Sequence, residues 1–505
     1  MESGLSETGS DTSGGEASDS GRETGSTDER TPKVLMVMID GFIPEVISLT
    51  QTPAMDQLLV DSAWSMKARA ESTTISGSGW ATFLTGVHWD KHGVPDNAFA
   101  GTNFETYPHV FVLAREALPG VELAGCQSWE PIEVGLVEPS LPEHHSFYDY
   151  YEYSDDYFDE QSPDRYCSED VAKWAAESDA GLFVLMFGDP DGVGHGYGYG
   201  AEYPTYQEEI SEVDGFLMNV LQAIEGRSTR EQEDWLIVLT GDHAGEPTLH
   251  HGANIPSHRE MPLIIGGDSV VAGEIWPPPK AADVVPTVLD HLGVDLQQFQ
   301  HWDLDGRVLG KESSARPFAE LRKNLLFNGD AEFERGYSNY VGVPDASIPG
   351  WNDPGYLTVI RYDAPDGFPR SSDAGPEDRG DGFFAGGGVS SDTQMSQRVD
   401  VSNLGFEIDS GVNYTLGAHL GGYADQGDRA VLSVRFLGEN GEELGNARVG
   451  PVRAVDRGGS TGLLERETTG VVPQGTRLVE ATLQMLHSSG YNDGYADNLS
   501  LVFSK

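Results

Sequence analysis

The hydrophobic pattern divides the chain into two textures. Residues 33–40 (KVLMVMID) form an unbroken apolar run closed by a carboxylate. Such a run fits a strand buried on both faces better than a half-exposed one, which would alternate. The texture recurs at 181–189 (GLFVLMFGD), 235–243 (WLIVLTGDH) and 261–267, and more faintly at 121–128. Between the runs, apolar residues step by threes and fours, as in 206–226 (YQEEISEVDGFLMNVLQAIEG), which predicts helices. Residues 282–294 (ADVVPTVLDHLGV) predict the last helix of this part. Strands alternating with helices predict an α/β fold, a mostly parallel sheet flanked by helices.

After about Lys311 the texture changes. Residues 325–505 are rich in Gly and Asp, with short alternating runs such as 430–437 (AVLSVRFL) and 479–486 (VEATLQML). Turn signals separate these runs at intervals that predict a C-terminal antiparallel β-sandwich. At the other end, residues 1–30 hold 17 Gly, Ser or Thr and eight acids. They cannot bury enough apolar surface to offset ordering, so they read as a flexible tether. The expected organisation is a tether (1–30), an α/β catalytic domain (31–312) and a β-sandwich accessory domain (325–505).

The charge narrows the function. The 505 residues include 82 Asp and Glu against 31 Lys and Arg, a formal net charge of −51. This excludes binding to nucleic-acid duplexes, which needs a basic footprint, and disfavours docking on anionic lipid. It fits a protein kept soluble by self-repulsion, or one adapted to high salt. No run reaches the roughly 18 apolar residues that span a bilayer. Cys126 and Cys167 are too few for a disulfide scaffold or a thiolate zinc site. They can form one bridge or remain buried thiols, and buried thiols are the expectation here.

Candidate chemistry lies at the strand ends, because ligands of open α/β sheets bind where the C-terminal loops converge. The first run delivers Asp40. The 181–189 run delivers DPDGVGH, with Asp189, Asp191 and His195. The 235–243 run delivers Asp242 and His243, followed by His250 and His251. Carboxylates and imidazoles are the donors for Zn²⁺ or a similar divalent ion, and six such groups can serve two metals. Singly, each has an ordinary alternative: an Asp after a strand often caps a helix, and a His is often a satisfied core residue. Residues 72–93 (STTISGSGWATFLTGVHWDKHG) offer a nucleophile. There a small turn around Gly77 and Gly79 precedes a helix expected from Trp80 to Thr85. A Ser76 hydroxyl would stand beside the helix N-terminus, whose free N–H groups favour phosphate; the alternative is that Ser76 only caps the helix.

In this order, Asp40, SGSGWATFLTGVHWDKHGV, DPDGVGH, TGDH and HHG…MPLIIGG resemble the alkaline phosphatase superfamily, closest to its type I phosphodiesterase/nucleotide pyrophosphatase branch. The likeness covers about residues 33–310. It implies Ser76, nine residues before Thr85 of the LTG motif, as nucleophile. It implies Asp40, Asp242 and His243 as ligands of one metal, and Asp191, His195 and His251 as ligands of the other. Gly252 favours His251 over His250, and Asp189 is expected behind the ligands. The branch often has Asn three residues after the nucleophile. Gly79 stands there in this chain, so backbone N–H groups around Gly77, or Asn97, are expected to replace it, while Trp80 is expected to contact substrate as part of an aromatic wall or else to pack in the core or rim. The formylglycine route of sulfatases is disfavoured by Ser78 and Trp80, which stand where that route needs Pro or Ala and Arg.

The signatures NGDAEF (328–333) and DGYADNLSL (493–501) resemble the first and last strands of jelly-roll modules of the carbohydrate-binding and galactose-binding-like kind. That resemblance implies a structural calcium ion and a glycan partner. The tether resembles the spacers behind the lipidated cysteine of bacterial surface lipoproteins, which implies an extracytoplasmic protein. The expected function is hydrolysis of a small-molecule phosphate ester, a phosphodiester or pyrophosphate, through a phosphoserine and two zinc ions. The alternatives are a phosphomonoesterase or sulfatase on the same scaffold, or a surface glycan binder with a relic enzyme part. Residues 146–160, with seven aromatic rings among acids, read as a lid beside the site or as a solvated loop.

Overall fold

The structure, a computed structural model, describes residues 30–137, 162–312, 316–334, 336, 348–353 and 356–505, with the backbone of 150–153. The tether and most of the aromatic 146–160 segment lie outside the described residues.

Eight strands form the first sheet: β1 (Thr31–Ile39), β2 (Ala63–Arg69), β3 (Leu123–Gln127), β4 (Tyr150–Tyr153), β5 (Leu182–Phe187), β6 (Glu233–Gly241), β7 (Glu260–Gly266) and β8 (Gly273–Glu274). Their order is β4-β3-β5-β1-β6-β7-β2-β8. β1 explains its own unbroken apolar run. Val34, Met36 and Met38 face one core, with Trp80, Phe83 and Leu84 of helix α1 (Ser76–Thr85). Leu35, Val37 and Ile39 face a second core, with Val171 of α2 (Pro163–Glu177). The helix Pro204–Glu225 adds Ile210, Val213 and Leu217 to that second core. Successive side chains point to opposite faces, and both faces are covered, so the strand is apolar from Val34 to Ile39.

β4, β3, β5, β1 and β6 run parallel. β7 runs antiparallel to β6, and β2 antiparallel to β7. The 261–267 run therefore starts, rather than ends, at the edge where the parallel strands finish. Register decides what meets there. Ile39 pairs with Phe187 on one side and with Gly241 on the other, so Asp40, Gly188 and Asp242 leave the sheet abreast.

Cys126 and Cys167 are bridged, with Cα atoms 5.2 Å apart. This corrects the expectation of buried thiols. Cys126, Leu185's neighbour on β3, and the second turn of α2 come together through the fold, and a separation of 41 residues gives no sequence signal of that.

Among the described residues, nine further strands between Thr358 and Ser504 make a five-stranded and a four-stranded sheet, with every pairing antiparallel. Leu416, Leu501 and Phe503 from one sheet and Met395, Leu432 and Leu483 from the other share one core, which makes a β-sandwich.

Candidate metal and phosphate site

Helix α1 begins at Ser76, four residues earlier than expected, with Ile75 in extended conformation as its cap residue. Ser76 thus lies inside the helix and its hydroxyl is not spent on capping. The Oγ is 3.3 Å from Asp40 Oδ1 and 3.2 Å from His243 Nε2. One turn on, Trp80 Nε1 donates to Asp40 Oδ2 at 2.9 Å. The helix comes this close because two positions lack side chains. A Cβ at Gly79 would lie 2.8 Å from the Cβ and carbonyl oxygen of Asp242, and one at Gly77 2.7 Å from Asp96 O. Gly77 N–H donates to Asn97 Oδ1 at 2.8 Å.

The other half comes from the turns after β5 and β6. Asp191 and His195, four apart on helix α3 (Asp189–Tyr197), share one face, with His195 Nε2 3.4 Å from Asp191 Oδ2. His251 Nε2 lies 3.1 Å from His195 Nε2 and 3.8 Å from Asp191 Oδ1. Its ring stacks on His243 at 3.8 Å. His250 is exposed and stands outside this cluster, while Asp189 belongs to a separate acidic group with Asp164 and Glu209.

The three imidazoles share one tautomer. Nδ1 of His243 faces Ala244 O at 3.0 Å, that of His251 faces Thr74 O at 2.8 Å, and that of His195 faces Leu249 O at 3.1 Å. A carbonyl only accepts, so each Nδ1 carries the proton and each Nε2 presents a lone pair to the cluster. Burial keeps His243 below the ordinary histidine value, and burial with the nearby His243 lowers His251 to about 4. The carboxyls are pushed the other way. Burial and the charges of Asp242 and Asp191 raise Asp40, and burial with Asp191 raises Asp242 to about 7. Asp242 Oδ2 is buried without a hydrogen-bond partner. Crowded carboxylates, one orphaned oxygen and aimed lone pairs fit divalent cations. Two compact groups stand out, Asp40 with Asp242 and His243, and Asp191 with His243 and His251; within each the ligand atoms lie within 4.8 Å of one another.

The model of the type I phosphodiesterase / nucleotide pyrophosphatase family matches residues 34–287, half of the chain, and spans every residue of this cluster. The chain belongs to this family. A curated relative, mouse (Mus musculus) ectonucleotide pyrophosphatase/phosphodiesterase family member 7, is 24% identical over 250 residues, 46% of this chain and 54% of the relative. The human protein of that name is 24% identical over 230 residues, 42% of this chain and 47% of its own. The chain thus spans about half the length of the curated relatives it matches. Among solved structures, the phosphonate monoester hydrolase of Agrobacterium radiobacter aligns with a TM-score of 0.43 at 16% identity, over 57% of this chain and 79% of that one.

In this family member the site departs from the sequence reading at Trp80. Its ring is fully buried and its N–H is given to Asp40, so it braces a carboxylate and does not face substrate. Tyr199 is buried with its hydroxyl donating to Asp191 Oδ1. Thr74 was overlooked; its carbonyl fixes the His251 tautomer, a backbone role that no side-chain pattern reports.

Proposed function

We propose that the protein is a two-metal-dependent hydrolase of phosphate esters, acting on phosphodiesters or pyrophosphates through a covalent phosphoserine at Ser76. The observation that carries this reading is the seat of Ser76 Oγ against Asp40 and His243, at the first residue of a ten-residue helix. Asp40, Asp242 and His243 would hold one cation, and Asp191, His195 and His251 the other. Mixed carboxylate and imidazole donors suit zinc. When bound, such ions lower the pKa of an adjacent hydroxyl and neutralise charge on the phosphoryl group.

The chain's own residues supply the rest. Asp40 Oδ1 accepts from Ser76 and keeps the hydroxyl aimed at phosphorus. Ser76 Oγ loses its proton and forms the new P–O bond as the ester oxygen leaves on the opposite side, taking up a proton from solvent. The N-terminal end of α1 faces the charge gathering on the phosphoryl oxygens, although the Gly77 N–H expected there is already given to Asn97 Oδ1. Asn97 spends its Oδ1 on Gly77, which leaves its Nδ2 to donate to the same oxygens. Water then attacks the phosphoserine from the side the leaving group vacated, the P–Oγ bond breaks, and Ser76 Oγ takes up a proton as the phosphate product departs.

Ser76→Ala is expected to abolish turnover of aryl phosphodiesters while metal content stays at the wild-type level. An alanine variant that keeps most of its activity sinks the reading. Running an aryl phosphodiester, monoester and sulfate on one preparation separates it from the phosphomonoesterase and sulfatase alternatives.

Other features belong to the same proposal. The Cys126–Cys167 bridge supports an extracytoplasmic location, where disulfides persist. Burial, with Glu332 and Asp330 nearby, pushes the Asp497 carboxyl up to about 8, and a calcium ion at these loops would relieve that crowding. A glycan remains the proposed partner of the β-sandwich, and the division into a catalytic domain (31–312) and an accessory domain (325–505) is proposed with it.

A further inference from the structure

Ser76 and His251 reach the site on two loops that meet at one edge of the sheet. β2 ends at Arg69, and the chain continues through Ala70 and Thr74 to Ser76. On the other side, Arg259 precedes β7, and the chain before it leads back through Ala253 to His251. The loops are sewn together. Ala70 N–H donates to Arg259 O and Arg259 Nε donates to Ala70 O, each at 2.9 Å. Thr74 Oγ1 donates to Ala253 O at 2.9 Å, and His251 Nδ1 to Thr74 O at 2.8 Å.

The two guanidiniums at this seam, Arg69 and Arg259, are 3% and 5% exposed. Both reach the same atom, Glu334 Oε1, from Arg69 Nε at 3.0 Å and from Arg259 Nη2 at 2.9 Å. Glu334 lies beyond the α/β part of the chain. Its neighbour Phe333 receives Lys280 Nζ over its ring at 5.0 Å and packs on Phe327 at 5.1 Å. Against the upward push of burial, Arg259 and Arg69 hold the Glu334 carboxyl at about 2. The two desolvated cations repel each other, and Glu334 is the carboxylate bonded to both.

We propose that Glu334 is a positioning residue for the active site: by bridging Arg69 and Arg259 it locks the Ser76 loop to the His251 loop, so the chain beyond the α/β sheet completes the scaffold of the centre. The consequence for turnover rests on the proposed hydrolase activity; the locking of the loops does not.

The test uses the full chain, Glu334→Gln, and Arg316→Met as control. Arg316 stacks on Trp276 at 4.7 Å, a second charged contact between the two parts of the chain. In E334Q, amide exchange across 70–76 and 251–259 is expected to rise about tenfold with β1 and β5 unchanged, and kcat for an aryl phosphodiester to fall about tenfold with KM little altered. R316M is expected to show neither change. Unchanged loop exchange in E334Q, or equal losses in R316M, overturns the proposal. If the wild type hydrolyses no phosphate ester, the hydrolase reading fails, and loop exchange alone decides the role of Glu334. Should E334Q not fold, Glu334→Asp keeps the charge but withdraws it by one methylene; it is expected to loosen both loops to a smaller degree, and wild-type exchange there also overturns the proposal.

Discussion

Trp80 Nε1 donates to Asp40 Oδ2 at 2.9 Å from a position one helical turn after Ser76, whose Oγ meets the other oxygen of the same carboxylate at 3.3 Å. The i, i+4 spacing places both side chains on one face of α1, so a single helix sets the tilt of Asp40. Trp80→Phe keeps most of the ring and removes the donor. A hydrogen bond to a charged group contributes about 1.5–3 kcal/mol, so turnover is expected to fall by at least tenfold, with weaker metal retention. Steady-state kinetics and metal titration on the same preparation check this, and a W80F enzyme with wild-type values for both refutes it.

Gly79 is expected to be intolerant of any side chain. Its ideal Cβ would sit 2.8 Å from the Asp242 backbone oxygen, which cannot rotate away. Gly79→Ala should push α1 off Asp242 and separate Ser76 from His243, lowering turnover by about a hundredfold, since a misplacement near 1 Å costs that much. Gly79→Asn, which would introduce the residue the family often carries there, should do no better. A Gly79→Asn variant with improved activity would show that the helix can shift without loss.

The pair of Glu71 and His88 gives a pH signature. His88 Nδ1 lies 2.5 Å from Glu71 Oε1, which also accepts from Thr82 of α1. Burial opposes both charges, yet the His88 charge and hydrogen bond hold Glu71 at about 2, and the Glu71 charge keeps His88 above its ordinary value. The depressed acid contributes stability that is present above its unfolded value of 4.5 and is lost as pH falls toward 2. The raised imidazole contributes stability present below 6.5 and lost as pH rises through its folded value. His88→Gln should therefore lower Tm most between these two values and progressively less in alkaline solution. Thermal unfolding across pH checks this, and a Tm difference that grows with alkalinity contradicts it.

Much of the α/β part was legible because its central strands are covered on both faces. For β1, β5 and β6 that cover confines polar residues to the strand ends, and the apolar runs mark the strands to within two residues. β2 was missed: AWSMKAR has mixed burial and a register shift between Ser65 and Ala68, so it shows no clean period. The direction of β7 was also out of reach, since apolar content carries no sign along the chain. At the site, Asp40, Asp242 and His243 could be found because each lies within two residues of a strand end. Trp80 reads from sequence as a substrate contact, and only coordinates reveal that its ring is buried and its nitrogen engaged by Asp40. Glu334 is 265 residues from Arg69, and no local pattern links them.

The abreast exit of β1, β5 and β6 acts as a counting device. A residue lost from β6 would draw Asp242 back by about 3.3 Å and swing it through the sheet to the opposite side. Exchange of one aliphatic for another leaves that count intact. Variation in this lineage should thus accumulate as substitutions along the central strands, while insertions and deletions gather in the connections between them.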